Sequence, residues 1–240
     1  MFTWENTWKE IEDAGVSVAV LPIGATEQHG TSLPLLTDTL LAERVAEAVA
    51  EDLGAYLLPA LPVGTSATHL SFPGTLTLRH ETLAAVITDI VGSLVATGFK
   101  TVVLVSMHYG NYAVWSNLPR QLEAAHPGLR VAVLDPHPIW GEASHAAGIS
   151  ADEMHSGECE ASIMLSLRPD LVRPGAVDFP EPHGHLGGVK VTQTGFPEDV
   201  RQVSPMGALG EPSKGGKEKG DRFWQAFLPL AVEDIRRRVA

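Results

Sequence analysis

Three short runs rich in β-branched residues limit the folds open to this chain: VSVAVL at 16–21, TVVLV at 101–105 and RVAVL at Arg130–Leu134. Each is almost continuously apolar, broken in the first by Ser17, which is how strands covered on both faces of a parallel sheet read. Segments with apolar residues at helical spacing lie at 39–53, 81–97 and 112–125, as with Leu41, Val45 and Val49 on one face. Parallel strands need crossovers and these segments supply them, so the alternation predicts a three-layer α/β/α fold with a mostly parallel sheet. A further helix is expected from Glu158 through CEASIMLSL, stopping before Pro169, and a last one over 217–238, kinked at Pro229. Between Pro169 and Lys217 the chain is rich in Gly, Pro and His, and reads as an irregular region over the sheet with one strand at 188–192. No repeat or linker divides the 240 residues, so one domain spanning 1–240 is expected.

Hydrophobic residues make up 44% and charged residues 19%, the profile of a globular chain and not of a disordered one. A net charge of −12 without a strong basic patch argues against nucleic-acid and anionic-membrane partners. The densest basic cluster, Arg236 to Arg238, ends the last expected helix, where cations complement the helix dipole. The single cysteine, Cys159, leaves no internal disulfide and no thiolate zinc site, and a reducing compartment is expected. The start, MFTWENTWKEIEDAG, lacks a signal peptide's apolar core and no run is long enough to span a bilayer; a cytoplasmic protein is the expectation.

In open α/β sheets ligands bind beyond the carboxyl ends of the strands, so polar residues just after the apolar runs carry the functional information. After the first run come Glu27, His29 and Asp38; after the second come His108 and Asn111; later, HSGECEAS holds His155, Glu158 and Glu160. Carboxylates and imidazoles together suit zinc or manganese, and an Asp can bridge two ions. Two ions about 3.5 Å apart would share a hydroxide able to attack a carbonyl. Each residue also has a plain structural role. Asp38 precedes a helix and can be its N-cap, His29 and His108 can be hydrogen-bonded loop residues, and Glu158 and Glu160 can complement a helix N-terminus.

The stretch LPIGATEQHGTSLPLLTD resembles the signature of the creatininase family of amidohydrolases: a strand leading into Gly-x-x-Glu-x-His-Gly, then an Asp nine residues beyond the His. FPGTLTL from Phe72, SMHYGNY from Ser106, HSGECEAS from His155 and SPMGALGEPSKGGKEKG from Ser204 follow in the family's order, so the resemblance spans nearly the whole chain. It implies a creatininase-like α/β fold with two divalent ions per subunit (Zn, Mn or Fe), in a homo-oligomer that is often a hexamer. Carried over by position, Glu27, His29, Asp38, His108 and Glu160 match the ligands, with Asp38 as the bridge, and His155 matches a histidine suited to protonate the departing nitrogen. Glu158 is the alternative to Glu160 as the later acidic ligand. The chain also departs from its relatives. Creatininase proper carries Glu where Gly110 stands, many members read His-Leu-Pro at Ser32-Leu33-Pro34 and Asn-Gly-His at Ser106-Met107-His108, and Ala161 replaces a Thr.

The expected activity is therefore hydrolysis of a C–N amide bond in a small molecule, a cyclic amide, lactam or formamide, by a metal-bridging hydroxide. His155 and Glu160 are the catalytic candidates, and Ser32, His69, Tyr109 and Trp140 are the candidate substrate-pocket residues, with substrate differences expected around Thr31 and Ser32. A member acting on a modified peptide C-terminus, a noncatalytic metal-binding protein, and a Cys159–His155 nucleophile pair are the alternatives.

Overall fold

The computed structural model describes residues 1–150, 154–179 and 197–240. Among the described residues four strands, β1 (Val18–Ile23), β2 (Tyr56–Leu57), β3 (Thr101–Ser106) and β4 (Arg130–Leu134), form one sheet in the order β2-β1-β3-β4, all paired in parallel. The helices are α1 (Trp8–Asp13), α2 (Thr37–Leu53), α3 (His80–Ala96), α4 (Tyr112–Trp115), α5 (Leu118–Ala125), α6 (His137–Ala147), α7 (Glu158–Leu167), α8 (Val200–Val203) and α9 (Lys217–Val239).

Successive strand residues point to opposite faces, and both faces are apolar. Val20, Val103, Val105, Ala132 and Leu134 face one core, which α2, α6, α7 and α9 complete with residues such as Leu41, Ala143, Ile163 and Phe227. Ala19, Leu21, Ile23, Val102 and Leu104 face the other, closed by Leu83, Ile87 and Val91 of α3 and Leu118 and Leu122 of α5. The three layers follow directly from strands apolar on both sides, and the fold is α/β with helices on both faces of a parallel sheet.

Several boundaries differ from expectation for local reasons. The helix expected over 112–125 is two, because Pro119, in the first turn of α5, has no N–H to bond the carbonyl of Trp115 four residues back, so α4 ends at Trp115 and a new helix starts. Helix α6 was not anticipated; its buried positions are Ala143, Ser144 and Ala147, too small to give a strong apolar period. α9 runs unbroken through Pro229, an exposed position where the carbonyl deprived of its partner can meet water. Asp38 is not the N-cap of α2. The helix begins earlier, after a turn in which the Thr37 amide and hydroxyl both donate to Pro34 O, so Asp38 lies within the first turn and Leu36 is the cap. The described parts of the region after Pro169 hold short turns and α8, whereas the strand expected at 188–192 lies outside the described residues. Among the described residues no helix is long and apolar enough to cross a membrane.

Candidate metal centre

The carboxyl ends of β1 and β3 meet at one point. A Cβ at Gly24 would lie 2.3 Å from Thr39 Oγ1 and 2.4 Å from Thr39 Cα, so only glycine lets the loop after β1 run against the first turn of α2. That approach carries Glu27 and His29 to Asp38. Fully buried Asn111 ties in the loop after β3, donating to Gly24 O and Ser106 Oγ while accepting from Thr65 N. The third contributor is α7, whose first turn holds Glu160.

Asp38 is the shared member of two groups. His108 Nδ1 lies 2.9 Å from its Oδ2, and His108 Nε2 lies 3.5 Å from Glu27 Oε2. On the other side, His29 Nε2 is 3.2 Å from Asp38 Oδ1 and 4.0 Å from Glu160 Oε1. Glu27, Asp38 and His108 thus form one cluster of ligand type, and His29, Asp38 and Glu160 a second; Glu27, His29 and His155 also converge.

The protonation of the two imidazoles decides whether this cluster suits cations. His29 Nδ1 lies 2.9 Å from Glu27 O and His108 Nε2 lies 3.0 Å from Thr65 O; a carbonyl only accepts, so each ring donates there. In the neutral rings His29 Nε2 and His108 Nδ1 then carry lone pairs aimed at Asp38, an arrangement that needs a proton or a metal ion between the partners. Among the described residues, Glu27 Oε2, His29 Nε2 and Asp38 Oδ2 are buried without an aligned hydrogen bond, although their neighbours are close. Such convergent, unsatisfied atoms of N and O type fit borderline divalent ions.

The electrostatics agree. Burial lowers the tendency of His29 to charge, but the Asp38 carboxylate outweighs it and raises the pKa to about 10; His108, likewise buried, is raised to about 9 by Glu27 and Asp38. Burial would raise Asp38, yet His29 and His108 hold it well below the usual carboxylate range. Burial raises Glu27, and raises Glu160 to about 7 despite the nearby His29. In the metal-free protein both histidines therefore hold protons at neutral pH that an incoming ion must displace, and affinity should rise with pH up to about 9–10. Calorimetric zinc titrations at pH 7 in buffers of different ionisation enthalpy should report release of roughly two to three protons per chain. Heats independent of the buffer would contradict this account.

Glu158, the alternative to Glu160, turns away: its carboxylate meets Lys219 and accepts from Ser150 N. His155 Nδ1 lies 3.6 Å from Glu27 Oε1, with burial and then His29 and His69 pushing its pKa well down. His69 comes closer to the cluster than a pocket residue need be, its Nε2 3.4 Å from the same Glu27 oxygen. Sequence reasoning passed over Gln28, whose amide touches both of these rings; it is an uncharged residue between two recognisable ligand types, and nothing in its spacing marks it.

A cavity of about 890 Å³ opens over the cluster, with Glu27, Asp38, His69, His108, His155 and Glu160 on its wall. Tyr109 stands toward its exposed side, stacked on Tyr112 at 5.9 Å between ring centres. Trp140 reaches the wall while its ring packs edge-on against Phe223 at 4.9 Å. Ser32 does not meet the expectation of a pocket residue. It is buried away from the cavity wall, its carbonyl accepts from Arg173 N, and neighbouring Thr31 donates to Gly175 O, so both face the 173–175 segment.

The creatininase family model, described as creatinine amidohydrolase, matches residues 4–235. A creatinine amidohydrolase of Pseudomonas putida is 31% identical over 258 aligned residues, covering 98% of this chain and 96% of that protein. A mycofactocin precursor peptide peptidase of Mycobacterium ulcerans (strain Agy99) is 29% identical, covering 97% of this chain and 86% of that protein. A solved structure named as creatininase with Mn superposes with a TM-score of 0.83 at 29% identity, over 98% of this chain and 97% of that one. Because sequence and fold agree over almost its full length, this chain belongs to the creatininase family.

Proposed function

We propose that the protein is a metal-dependent amidohydrolase that cleaves a C–N amide bond of a small molecule, a cyclic amide, lactam or formamide. Glu27, Asp38 and His108 hold one divalent ion, His29, Asp38 and Glu160 hold a second, and zinc and manganese suit this mixed set best. The observation that carries this reading is Asp38, one buried carboxylate with the nitrogen of a different imidazole facing each oxygen. Two such ions supply Lewis acidity toward a carbonyl oxygen and acidify a water. The chain's own residues do the rest. The Glu27 and Thr65 carbonyls fix the two imidazoles, and the Ser156 amide donates to Glu160 Oε2, leaving Oε1 toward His29. His155 is held through Nε2 by Gln28 O, so its Nδ1 at the cavity wall, unprotonated in the neutral ring, is the atom that takes a proton from the attacking water and passes it to the departing nitrogen.

Creatinine itself is a poor candidate. Gly110 stands where creatininase proper has Glu, and a Cβ there would lie 2.1 Å from Thr65 O and 2.4 Å from His108 Nε2, so this backbone has no space for that carboxylate. The 890 Å³ cavity, large for a single small ring, favours as a second reading the end of a modified peptide, in line with the peptide peptidase among the relatives. We also propose one domain spanning 1–240 and a homo-oligomer of up to six subunits, acting in the cytoplasm.

The test is a screen of lactams, formamides and short peptides with the zinc- and manganese-reconstituted protein. Turnover should disappear with a chelator and survive Cys159→Ala, because both ring nitrogens of His155 are turned to Gln28 and Glu27 and leave none for the thiol. Turnover that resists the chelator but is lost in Cys159→Ala would instead establish the thiol mechanism. Tight metal binding with no turnover of any substrate would leave the noncatalytic alternative standing.

A further inference from the structure

Gln28 lies buried between Glu27 and His29, and its side-chain amide is oriented by two backbone groups with one role each. The Gly30 N–H can only donate, and it donates to Oε1 at 2.9 Å. The Gly207 carbonyl can only accept, and it lies 3.1 Å from Nε2. Both constraints give the same orientation, so the amide oxygen and nitrogen cannot be exchanged. Gly207 is itself required: at φ +92° a Cβ there would lie 1.9 Å from Gln28 Oε1.

Three groups surround the two hydrogens on Nε2. Besides Gly207 O they are His69 Nδ1 at 2.8 Å and His155 Nε2 at 3.0 Å. His155 Nε2 is also 2.8 Å from the Gln28 main-chain carbonyl, which accepts only, so that nitrogen carries a proton and has no lone pair for the amide. The remaining hydrogen of Nε2 goes to His69 Nδ1, the shortest of the three contacts. His69 Nδ1 is therefore an acceptor, and the ring's proton is on Nε2, which faces Glu27 Oε1 at 3.4 Å. A doubly protonated ring is excluded by the same contact, because two N–H groups would point at each other.

We propose that Gln28 is a positioning residue that holds His69 as its Nε2–H tautomer, so that His69 directs its proton to Glu27 Oε1 and leaves Oε2 to face the metal ion. The last step rests on the metal centre proposed above; the tautomer does not. The relay runs from a side-chain amide through a neutral imidazole to one oxygen of a ligand carboxylate, and it selects which lone pairs of Glu27 are offered on the His108 side, where Oε2 has no aligned hydrogen bond. Outer partners of this kind commonly change metal affinity about 10–100-fold.

The test uses full-length, metal-free protein with 15N-labelled histidine, and long-range 1H–15N correlation spectra with the His69 signals assigned by their loss in His69→Gln. The parent ring should be protonated on Nε2 alone. In Gln28→Glu the carboxylate cannot donate, so Nδ1 should gain a proton, and zinc affinity measured by chelator competition should fall about 10–100-fold. Gln28→Met, close in size but with no donor, should also lose the fixed tautomer. A parent ring protonated on Nδ1 or on both nitrogens overturns the proposal without any variant. An unchanged tautomer or unchanged zinc affinity in a folded Gln28→Glu or Gln28→Met protein overturns it as well. A parent protein that takes up no zinc, yet shows the Nε2–H ring, would contradict the metal reading and the relay's last step while the Gln28–His69 tautomer stands.

Discussion

Replacing Asp38 with Asn should remove both metal ions, whereas Glu160→Gln or His108→Ala should remove one and leave the other. The asymmetry follows from geometry: Asp38 faces His108 through Oδ2 and His29 through Oδ1, while Glu160 and His108 each belong to one cluster. An amide keeps the shape of the side chain but offers one acceptor oxygen, no charge, and an N–H₂ toward an imidazole lone pair. Affinity at both sites should drop by more than the roughly 10–100-fold typical of an outer partner. Activity should fall with it, since the proposed chemistry needs both ions. Metal counting on the reconstituted variants checks this, and a loss of one ion in Asp38→Asn would show that the carboxylate is not shared.

Gly110→Ala should both destabilise the fold and disturb one side of the centre. The added Cβ would meet Thr65 O at 2.1 Å, a backbone atom that cannot rotate aside, and His108 Nε2 at 2.4 Å. Thr65 O is also the acceptor that orients His108, so relief of the clash moves the ring whose Nδ1 faces Asp38. Overpacking of this kind costs about 1–3 kcal/mol, which for a chain of this size lowers Tm by several degrees. The ion held by Glu27, Asp38 and His108 should weaken and the other should remain. Gly110→Glu, which restores the creatininase residue, should not create creatinine hydrolysis, because the larger side chain meets the same walls. Thermal unfolding of the metal-free protein and metal counting provide the check; a Gly110→Ala protein as stable as the parent and holding both ions would contradict it.

The layers of the fold were legible because a strand covered on both faces must be apolar on both faces, and β1, β3 and β4 announce themselves that way. Two-residue β2 and helix α1, which buries no residue, leave almost no apolar pattern to read; the capping box of Thr7 and Glu10 was the one local clue to α1. In the site, the local spacing of Glu27, His29 and Asp38 placed them on one loop and helix start. That His108 and Glu160 complete the cluster was suggested by resemblance, because pairing of strand ends is a tertiary fact. The N-cap reading of Asp38 was undone by Pro34, which starts the helical turn early, and Gln28 and His69 meet across 41 positions, a distance that no periodicity reports.

The most direct measurement is an anomalous-difference map from crystals of the zinc-reconstituted protein. Two peaks should flank the Asp38 carboxylate, one beside Glu27 and His108 and the other beside His29 and Glu160. A single peak, or peaks that do not share Asp38, would contradict the two-ion centre.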